Sequence, residues 1–256
     1  MSKDYLYDDR APAFRMLADG AKAMAAHHGV EVDDTTYHRW SDAGGLMRET
    51  DSLHDDGHVP ADELIARLQT YDDEFGEIYP HLAPSATGPE INAELLGIAR
   101  SVFMLGALAA RTTSPDDYAV YRHAESVVTA GIVTKTATPE VMAQPGYHKN
   151  FVPEFETLTV GLTFMDSYLD AWRDYRDGAM QVKPDLAYFR ALRRVGRPAI
   201  VHSVKIIARP PMTRLAFAMG RQRIRTRLDH GLTDYSTMQN LPAPLKRLWQ
   251  QKNVTE

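Results

Sequence analysis

The chain has 256 residues, of which 44% are hydrophobic and 25% are charged, and its formal net charge at pH 7 is −5. This length suffices for one large core or at most two modest domains, and the small negative charge argues against a general nucleic-acid-binding protein. The chain contains no cysteine, which excludes a disulfide, a thiolate zinc site and a cysteine nucleophile.

The N-terminal residues MSKDYLYDDR are charged and contain no apolar run, so they do not resemble a secretory signal. No stretch approaches about 18 uninterrupted apolar residues, which a membrane span would require. We therefore expect a cytoplasmic protein.

Helical patterns follow one another along the chain, and no segment shows the alternation of a β-strand. Apolar residues at intervals of three and four predict helices over residues 10–28, 35–55, 60–79, 90–111, 115–135, 154–177, from 184 onward, 210–229 and 242–251. The helix over 90–111 is the most apolar and is expected at the centre of the fold. We expect Gly196 and Pro198 to interrupt the helix that begins at Pro184, and residues 138–153 to form a connection.

An acidic pattern marks the sixth predicted helix, in the segment LTFMDSYLDAWRDYRDG. Its aspartates recur every three or four residues, at Asp166, Asp170, Asp174 and Asp177. On a helix they form one stripe, and like charges at this spacing repel each other by a few tenths of a kcal/mol per pair. The neighbouring stripe is apolar and should face a core; it comprises Met165, Leu169 and Trp172.

A second acidic group closes the second predicted helix, in the segment GLMRETDSLHDDGH. Asp51 and Asp55 lie four residues apart, Asp56 follows, and Arg48 precedes them by one turn. Two such carboxylates suit Mg²⁺, which takes oxygen ligands and keeps several waters. Both groups lie near helix C-termini, where the helix dipole disfavours negative charge. A bound cation would offset that cost, whereas a solvated helix surface would account for either group taken alone.

The two motifs resemble those of class I isoprenoid (terpene) synthases, especially squalene and phytoene synthases and the large terpene synthases. In that family two acidic helix motifs, usually separated by three helices, face each other across an all-α bundle and hold Mg²⁺ and a prenyl diphosphate. The resemblance implies that the metal ligands are Asp51 and Asp55, with Asp56, in the first motif and Asp166 and Asp170, with Asp174, in the second. The helical patterns predict a single all-α domain of eight or nine helices over residues 1–256, and the resemblance implies that this bundle is isoprenoid-synthase-like.

The resemblance also implies a Mg²⁺-dependent terpene synthase or prenyltransferase that ionises a prenyl diphosphate. Its diphosphate oxygens would need cationic donors, for which the candidates are Arg48, Arg173 and Arg176. The carbocation would need an apolar, aromatic pocket, whose candidate walls are Phe103, Met104, Phe164, Met165, Leu169 and Trp172. Local ion pairs and an ordinary helix core, respectively, are the plain alternatives for these two sets.

The C-terminal third of the chain is basic. Between Lys183 and Arg227 there are twelve Lys or Arg residues against one acid, Asp185. Basic amphipathic helices can lie on anionic membranes, so we expect peripheral membrane contact here unless the basic face is only solvated. The run RQRIRTR lacks interleaved aromatic residues, so we expect no specific nucleic-acid partner.

Two other functions remain open from the sequence. A non-catalytic helical protein that binds a partner or a membrane accounts for each feature separately. A dimetal oxygenase on a helical bundle is a lesser alternative, because such sites use Glu-x-x-His pairs and the chain contains none. The chain could also form a homodimer.

Overall fold

The computed structural model describes residues 11–56, 65–66, 79–176, 178–209 and 212–213, with side chains for these residues except 11–16 and 47–56. Within this part of the chain all regular structure is helical and no strand occurs, as the sequence predicted. The helices are α1 (Ala11–His27), α2 (Asp34–Asp56), α3 (Pro84–Thr87), α4 (Pro89–Arg111), α5 (Pro115–Thr134), α6 (Pro139–Met142), α7 (Val152–Arg176) and α8 (Leu186–Ile207).

The predicted helix bounds agree with the structure for the first, second, fourth, fifth and sixth helices, which are α1, α2, α4, α5 and α7. The predicted connection over 138–153 contains α6 and a π-helical turn, Tyr147–Phe151. The helices predicted over 60–79, 210–229 and 242–251 lie largely or wholly outside the described residues. All the described helices belong to one compact unit, Met1–Met212, and a single domain over the whole chain stays a prediction.

Helix α8 is continuous, so the predicted interruption at Gly196 and Pro198 is wrong. Asp185 caps the N-terminus of α8, because its carboxylate accepts hydrogen bonds from the backbone N–H groups of Ala187 at 2.8 Å and Tyr188 at 3.2 Å. A proline inside a helix costs roughly 3 kcal/mol. The burial of one whole face of α8 against its neighbours offsets this cost.

Helix α5, and not the more apolar α4, lies at the centre of the described fold, because α5 packs against α2, α4, α7 and α8. Its N-terminus is capped by Ser114, whose hydroxyl accepts the N–H of Asp117 at 3.3 Å. The buried residues of α4 form one stripe at helical spacing, namely Leu95, Ala99, Val102, Gly106 and Ala109. The opposite face is open, and Met104 is 59% exposed. The expectation that the most apolar helix is central is therefore wrong.

Among the described helices, α4 alone has a length and composition that suit a membrane span. The sequence expectation of no membrane span rested on uninterrupted apolar runs, and Arg100 and Ser101 interrupt the apolar run of α4. The same length and composition also suit a helix that packs on one side against a protein core, which is the arrangement of α4 against α5.

Helices α7 and α8 pack closely because a glycine on each admits the other. A Cβ at Gly161 of α7 would lie 2.0 Å from the Ser203 Oγ of α8, and a Cβ at Gly196 of α8 would lie 2.3 Å from a ring carbon of Phe164. The hydroxyl of Ser203 also donates to the carbonyl oxygen of Thr157 at 3.2 Å. These contacts fix how α7 is rotated about its own axis.

That rotation turns the acidic stripe of α7 towards the bundle and the apolar stripe away from it. Phe164 and Asp170 are buried, whereas Leu169 is 76% and Trp172 is 57% exposed, and Met165 is partly exposed. The expectation that Met165, Leu169 and Trp172 face a core is therefore wrong. The physical reason is that Gly161 and Phe164 must face α8, which places the apolar stripe on the far side of the helix.

The close approach predicts that Gly196→Ala destabilises the protein. The added methyl group would overlap the buried Phe164 ring, and overpacking of this kind costs about 1–3 kcal/mol. In urea unfolding followed by circular dichroism, the transition midpoint should fall. The matched control is Gly97→Ala on α4, where a Cβ meets nothing within 4 Å; it should leave stability equal or raise it by up to about 1 kcal/mol. Equal stability of the two variants would contradict the packing argument.

Candidate functional site

The carboxylates of α7 lie on consecutive turns at the edge of the bundle interior. Asp170 is only 5% exposed, and Asp166 and Asp174 are partly exposed. The guanidinium of Arg173 bridges two of them, with Nη2 at 3.2 Å from the Asp170 Oδ2 and 3.1 Å from the Asp174 Oδ1. One arginine therefore lies between two carboxylates that belong to successive helical turns.

Burial raises the pKa of Asp174 above its ordinary value, and the charges of Asp170 and Asp166 raise it further, against the attraction of Arg173. The three carboxylates are thus close enough to interact. Because the site is desolvated and holds like charges, additional positive charge near Asp174 would be favoured.

Two buried tyrosines extend this interior from the neighbouring helices. The Tyr188 hydroxyl of α8 donates to the carbonyl oxygen of Ser167 at 3.0 Å, and its ring centroid lies 5.4 Å from that of Tyr118 on α5. Burial raises the pKa of both tyrosines, and the charge of Asp174 adds to the effect. Both hydroxyls therefore stay neutral and can donate hydrogen bonds at pH 7.

Helix α5 contributes a buried ion pair to the same region. The Arg122 Nη1 lies 2.7 Å from the Glu125 Oε2, and the charge of Arg122 lowers the pKa of both tyrosines. We name the group formed by Tyr118 and Arg122 of α5, Asp166, Ser167, Asp170 and Asp174 of α7, and Tyr188 of α8 the polar cluster.

Sequence reasoning found the aspartates of the polar cluster but not its members on α5 and α8. Tyr118 lies four residues after the N-cap Ser114, and Tyr188 lies three residues after the N-cap Asp185. Such a tyrosine on the inner face of a helix can deliver its hydroxyl to a partner inside the fold. Helical periodicity could have placed both rings inward, but not beside α7.

The first acidic motif lies at the C-terminal end of α2, and its backbone is helical as predicted. The side chains of Arg48, Asp51, Asp55 and Asp56 lie outside the described residues, as does Asp177. That the two acidic motifs face each other therefore stays a prediction. Arg176 lies at the exposed end of α7.

The residues proposed as pocket walls differ in their exposure, and that they line one pocket stays a prediction. Phe164 is buried against Gly196, Phe103 and Met165 are partly exposed, and the other three are exposed, namely Met104, Leu169 and Trp172. A depression of about 600 Å³ occurs elsewhere, beside α6 and the π-helical turn, and Met142, Gln144 and Lys149 contribute to its lining. None of the aspartates of α7 belongs to it.

No group of three or more histidine, aspartate or glutamate side chains among the described residues is arranged to hold a metal ion by itself. Magnesium does not require such a group, because it is commonly held by one or two carboxylates, waters and substrate phosphates. Asp170 and Asp174 could provide two such carboxylates once Arg173 moves from between them.

A second set of titratable residues connects α2 to the loop that precedes α3. The Asp42 carboxylate accepts the backbone N–H of His81 at 2.8 Å, and burial raises the pKa of Asp42 to about 7. The His81 ring stacks on His38 with centroids 4.8 Å apart, and burial lowers its pKa, helped by the charges of His38 and Arg39. These contacts cover the N-terminal half of α2.

Arg39 belongs to the same group and is 7% exposed. Its Nη2 donates to the carbonyl oxygen of Ala86 at 2.6 Å, while its Nε and Nη1 are buried without a hydrogen-bond partner. Ordinarily a buried guanidinium is fully paired, so this part of the loop contact carries a free-energy cost.

No family model matches this chain, and no curated protein or solved structure matches it at a significant level.

The buried carboxylate of Asp42 predicts a pH-dependent effect of Asp42→Asn. The folded pKa of about 7 lies above the ordinary pKa of an aspartate, so the folded state holds this proton more tightly, and Asp42 opposes folding increasingly as the pH rises from 4 to above 7. The asparagine can still accept the N–H of His81 and carries no charge. At about 1.4 kcal/mol per pKa unit, it should stabilise the protein by a few kcal/mol at pH 8 and by little at pH 4.

Urea unfolding of both proteins at pH 8 and pH 4 measures this difference. Asp116→Asn is the control, because it neutralises an exposed carboxylate and should give no such gain at pH 8. A difference between Asp42→Asn and the unsubstituted protein that does not change with pH would show that Asp42 titrates normally.

Proposed function

We propose that the protein binds Mg²⁺ at the aspartates of α7 and, through the metal, binds and ionises a prenyl diphosphate, as a terpene synthase or prenyltransferase. The observation that carries the proposal is the orientation of α7, which turns Asp170 and Asp174 into the helical bundle instead of towards water. An acidic stripe that served only for solubility would face the solvent.

The electrostatics of the polar cluster support a cation site. Burial, together with the charges of Asp170 and Asp166, raises the pKa of Asp174 although an arginine contacts it, so a divalent ion would stabilise the charged form of this carboxylate. Arg173 occupies the space between Asp170 and Asp174, so its guanidinium stands in for the cation. When Mg²⁺ binds, Arg173 would be released to contact the diphosphate oxygens, which suit its planar donors.

The aromatic residues beside the aspartates support the second half of the proposal. Departure of pyrophosphate leaves an allylic carbocation, which aromatic faces attract and which must be kept from water. Phe164, Tyr118 and Tyr188 are buried in the core that α5, α7 and α8 form. Leu169 and Trp172 are exposed, and their place in a pocket wall stays a prediction. Metal ions bound to the diphosphate would stabilise the departing group.

A non-catalytic helical protein is the second candidate, and the contacts of Arg173 favour it. Its guanidinium already bridges Asp170 and Asp174, and the Tyr188 hydroxyl is bound to Ser167. In that case the polar cluster would only hold α5, α7 and α8 in register.

The proposal predicts that Mg²⁺ and pyrophosphate together raise the melting temperature, whereas each alone does so weakly. A ligand at a hundredfold over its dissociation constant adds about 2.7 kcal/mol to the free energy of unfolding, which corresponds to about 5–10 °C for a chain of this size. Differential scanning fluorimetry measures the shift. Asp170→Asn/Asp174→Asn should abolish it, and Asp51→Asn should reduce it if the first motif takes part.

Asp116→Asn/Asp117→Asn is the matched control, because it removes the same charge at the start of α5 and should keep the full shift. If Mg²⁺ and pyrophosphate together still raise the melting temperature of Asp170→Asn/Asp174→Asn, the site is not at these aspartates. No shift in the unsubstituted protein would favour the non-catalytic candidate. If the shift is present, turnover of a panel of prenyl diphosphates, read by product analysis, tests the chemistry.

A further inference from the structure

The two faces of α8 differ sharply in composition. The inner face is buried against α5 and α7 and includes Tyr188, Leu192, Gly196, Ser203 and Ile206. The outer face forms one stripe along the whole helix, because its exposed residues recur at intervals of three and four. These are Leu186, Ala187, Arg190, Arg193, Arg194, Arg197, Pro198, Val201, His202, Val204 and Lys205.

The outer face of α8 is strongly cationic. It carries four arginines and one lysine, and helix Leu186–Ile207 contains no acidic residue. Arg194 is paired with the exposed Asp116 at 2.6 Å. The sequence that follows α8 adds further arginines, up to Arg227. A helix face of this charge favours an anionic partner.

Exposed aliphatic side chains lie within the same stripe. Leu186 is 65%, Val201 is 47% and Val204 is 54% exposed, so apolar residues flank the arginines at both ends of the helix. A cationic centre with aliphatic ends fits the boundary between lipid headgroups and acyl chains. A single-stranded nucleic acid would instead be bound with several stacking aromatic residues, and among the exposed residues of α8 only His202 carries an aromatic ring.

We infer that the outer face of α8 is a docking surface for an anionic lipid membrane, with the helix axis parallel to the bilayer plane. The arginines would lie at the headgroup phosphates, and Leu186, Val201 and Val204 would enter the acyl boundary. The inference does not depend on the proposed enzymatic function. A protein that acts on membrane-dissolved prenyl chains and one without catalysis could both use such a surface.

Vesicle co-sedimentation of the full chain tests the inference. The protein should bind vesicles of phosphatidylcholine that contain about one-third phosphatidylserine, and it should not bind vesicles of phosphatidylcholine alone. Each basic residue near an anionic surface contributes about 1 kcal/mol, or about fivefold. Arg193→Gln/Arg197→Gln should therefore weaken binding by about 30-fold.

Arg100→Gln/Arg111→Gln on α4 is the matched control, because both arginines are exposed and the change in net charge is the same. It should bind like the unsubstituted protein. Val201→Ser/Val204→Ser leaves the charge unchanged and should also weaken binding, which a purely electrostatic contact would not show. Circular dichroism of all variants should come first. A double variant that does not fold is replaced by its two single variants, such as Arg193→Gln and Arg197→Gln.

Three results would overturn the inference. The first is no binding to the anionic vesicles, and the second is equal loss of binding in the α4 control. The third is tighter binding to a single-stranded RNA than to vesicles, with loss of both in Arg193→Gln/Arg197→Gln, which would assign the surface to a nucleic acid.

Discussion

The close packing of α7 on α8 is the constraint on which the candidate site depends. Gly161 and Gly196 leave no room for a Cβ, so the two helices can meet only along these faces. With Phe164 fixed against Gly196, the rest of α7 has a determined rotation. Asp170 then lies inside and Leu169 outside. The hydrophobicity of the side chains alone would favour the opposite orientation, with the apolar stripe inside and the acidic stripe in water. The free energy for burying the carboxylate must come from the packing of the surrounding helices and from Arg173.

This arrangement resolves the conflict between the two stripes of α7. Burying a carboxylate is costly unless it is paired or coordinates a cation, and exposing a tryptophan and a leucine forfeits their hydrophobic stabilisation. Helix α7 carries both costs, because it buries Asp170 and exposes Leu169 and Trp172. Residues that break a local rule in this way are concentrated at functional or strained sites. The polar cluster and the outer surface of the bundle are therefore the two places where function is expected.

The sequence predicted the helices well, since periodicity and end signals such as Ser114-Pro115 depend on local interactions. It predicted the acidic stripe but not which way the stripe faces, because helical spacing gives the period of a pattern and not its rotation against a neighbour. The centre of the fold was also missed. Apolar content favoured α4, whereas burial on several sides singles out α5. Pro198 was misjudged for a similar reason, since packing against α5 and α7 outweighs a local helix-breaking preference.

If the carboxylates of α7 form a cation site, Mn²⁺ should bind there, and electron paramagnetic resonance measures this binding. Mn²⁺ takes the same oxygen ligands as Mg²⁺, and its free six-line signal is lost on binding. The account predicts that the purified protein removes this signal, that excess Mg²⁺ restores it, and that Asp170→Asn/Asp174→Asn binds fewer Mn²⁺ ions per chain. An unchanged number of bound ions in this variant would contradict the account and assign the aspartates of α7 to the stability of the bundle alone.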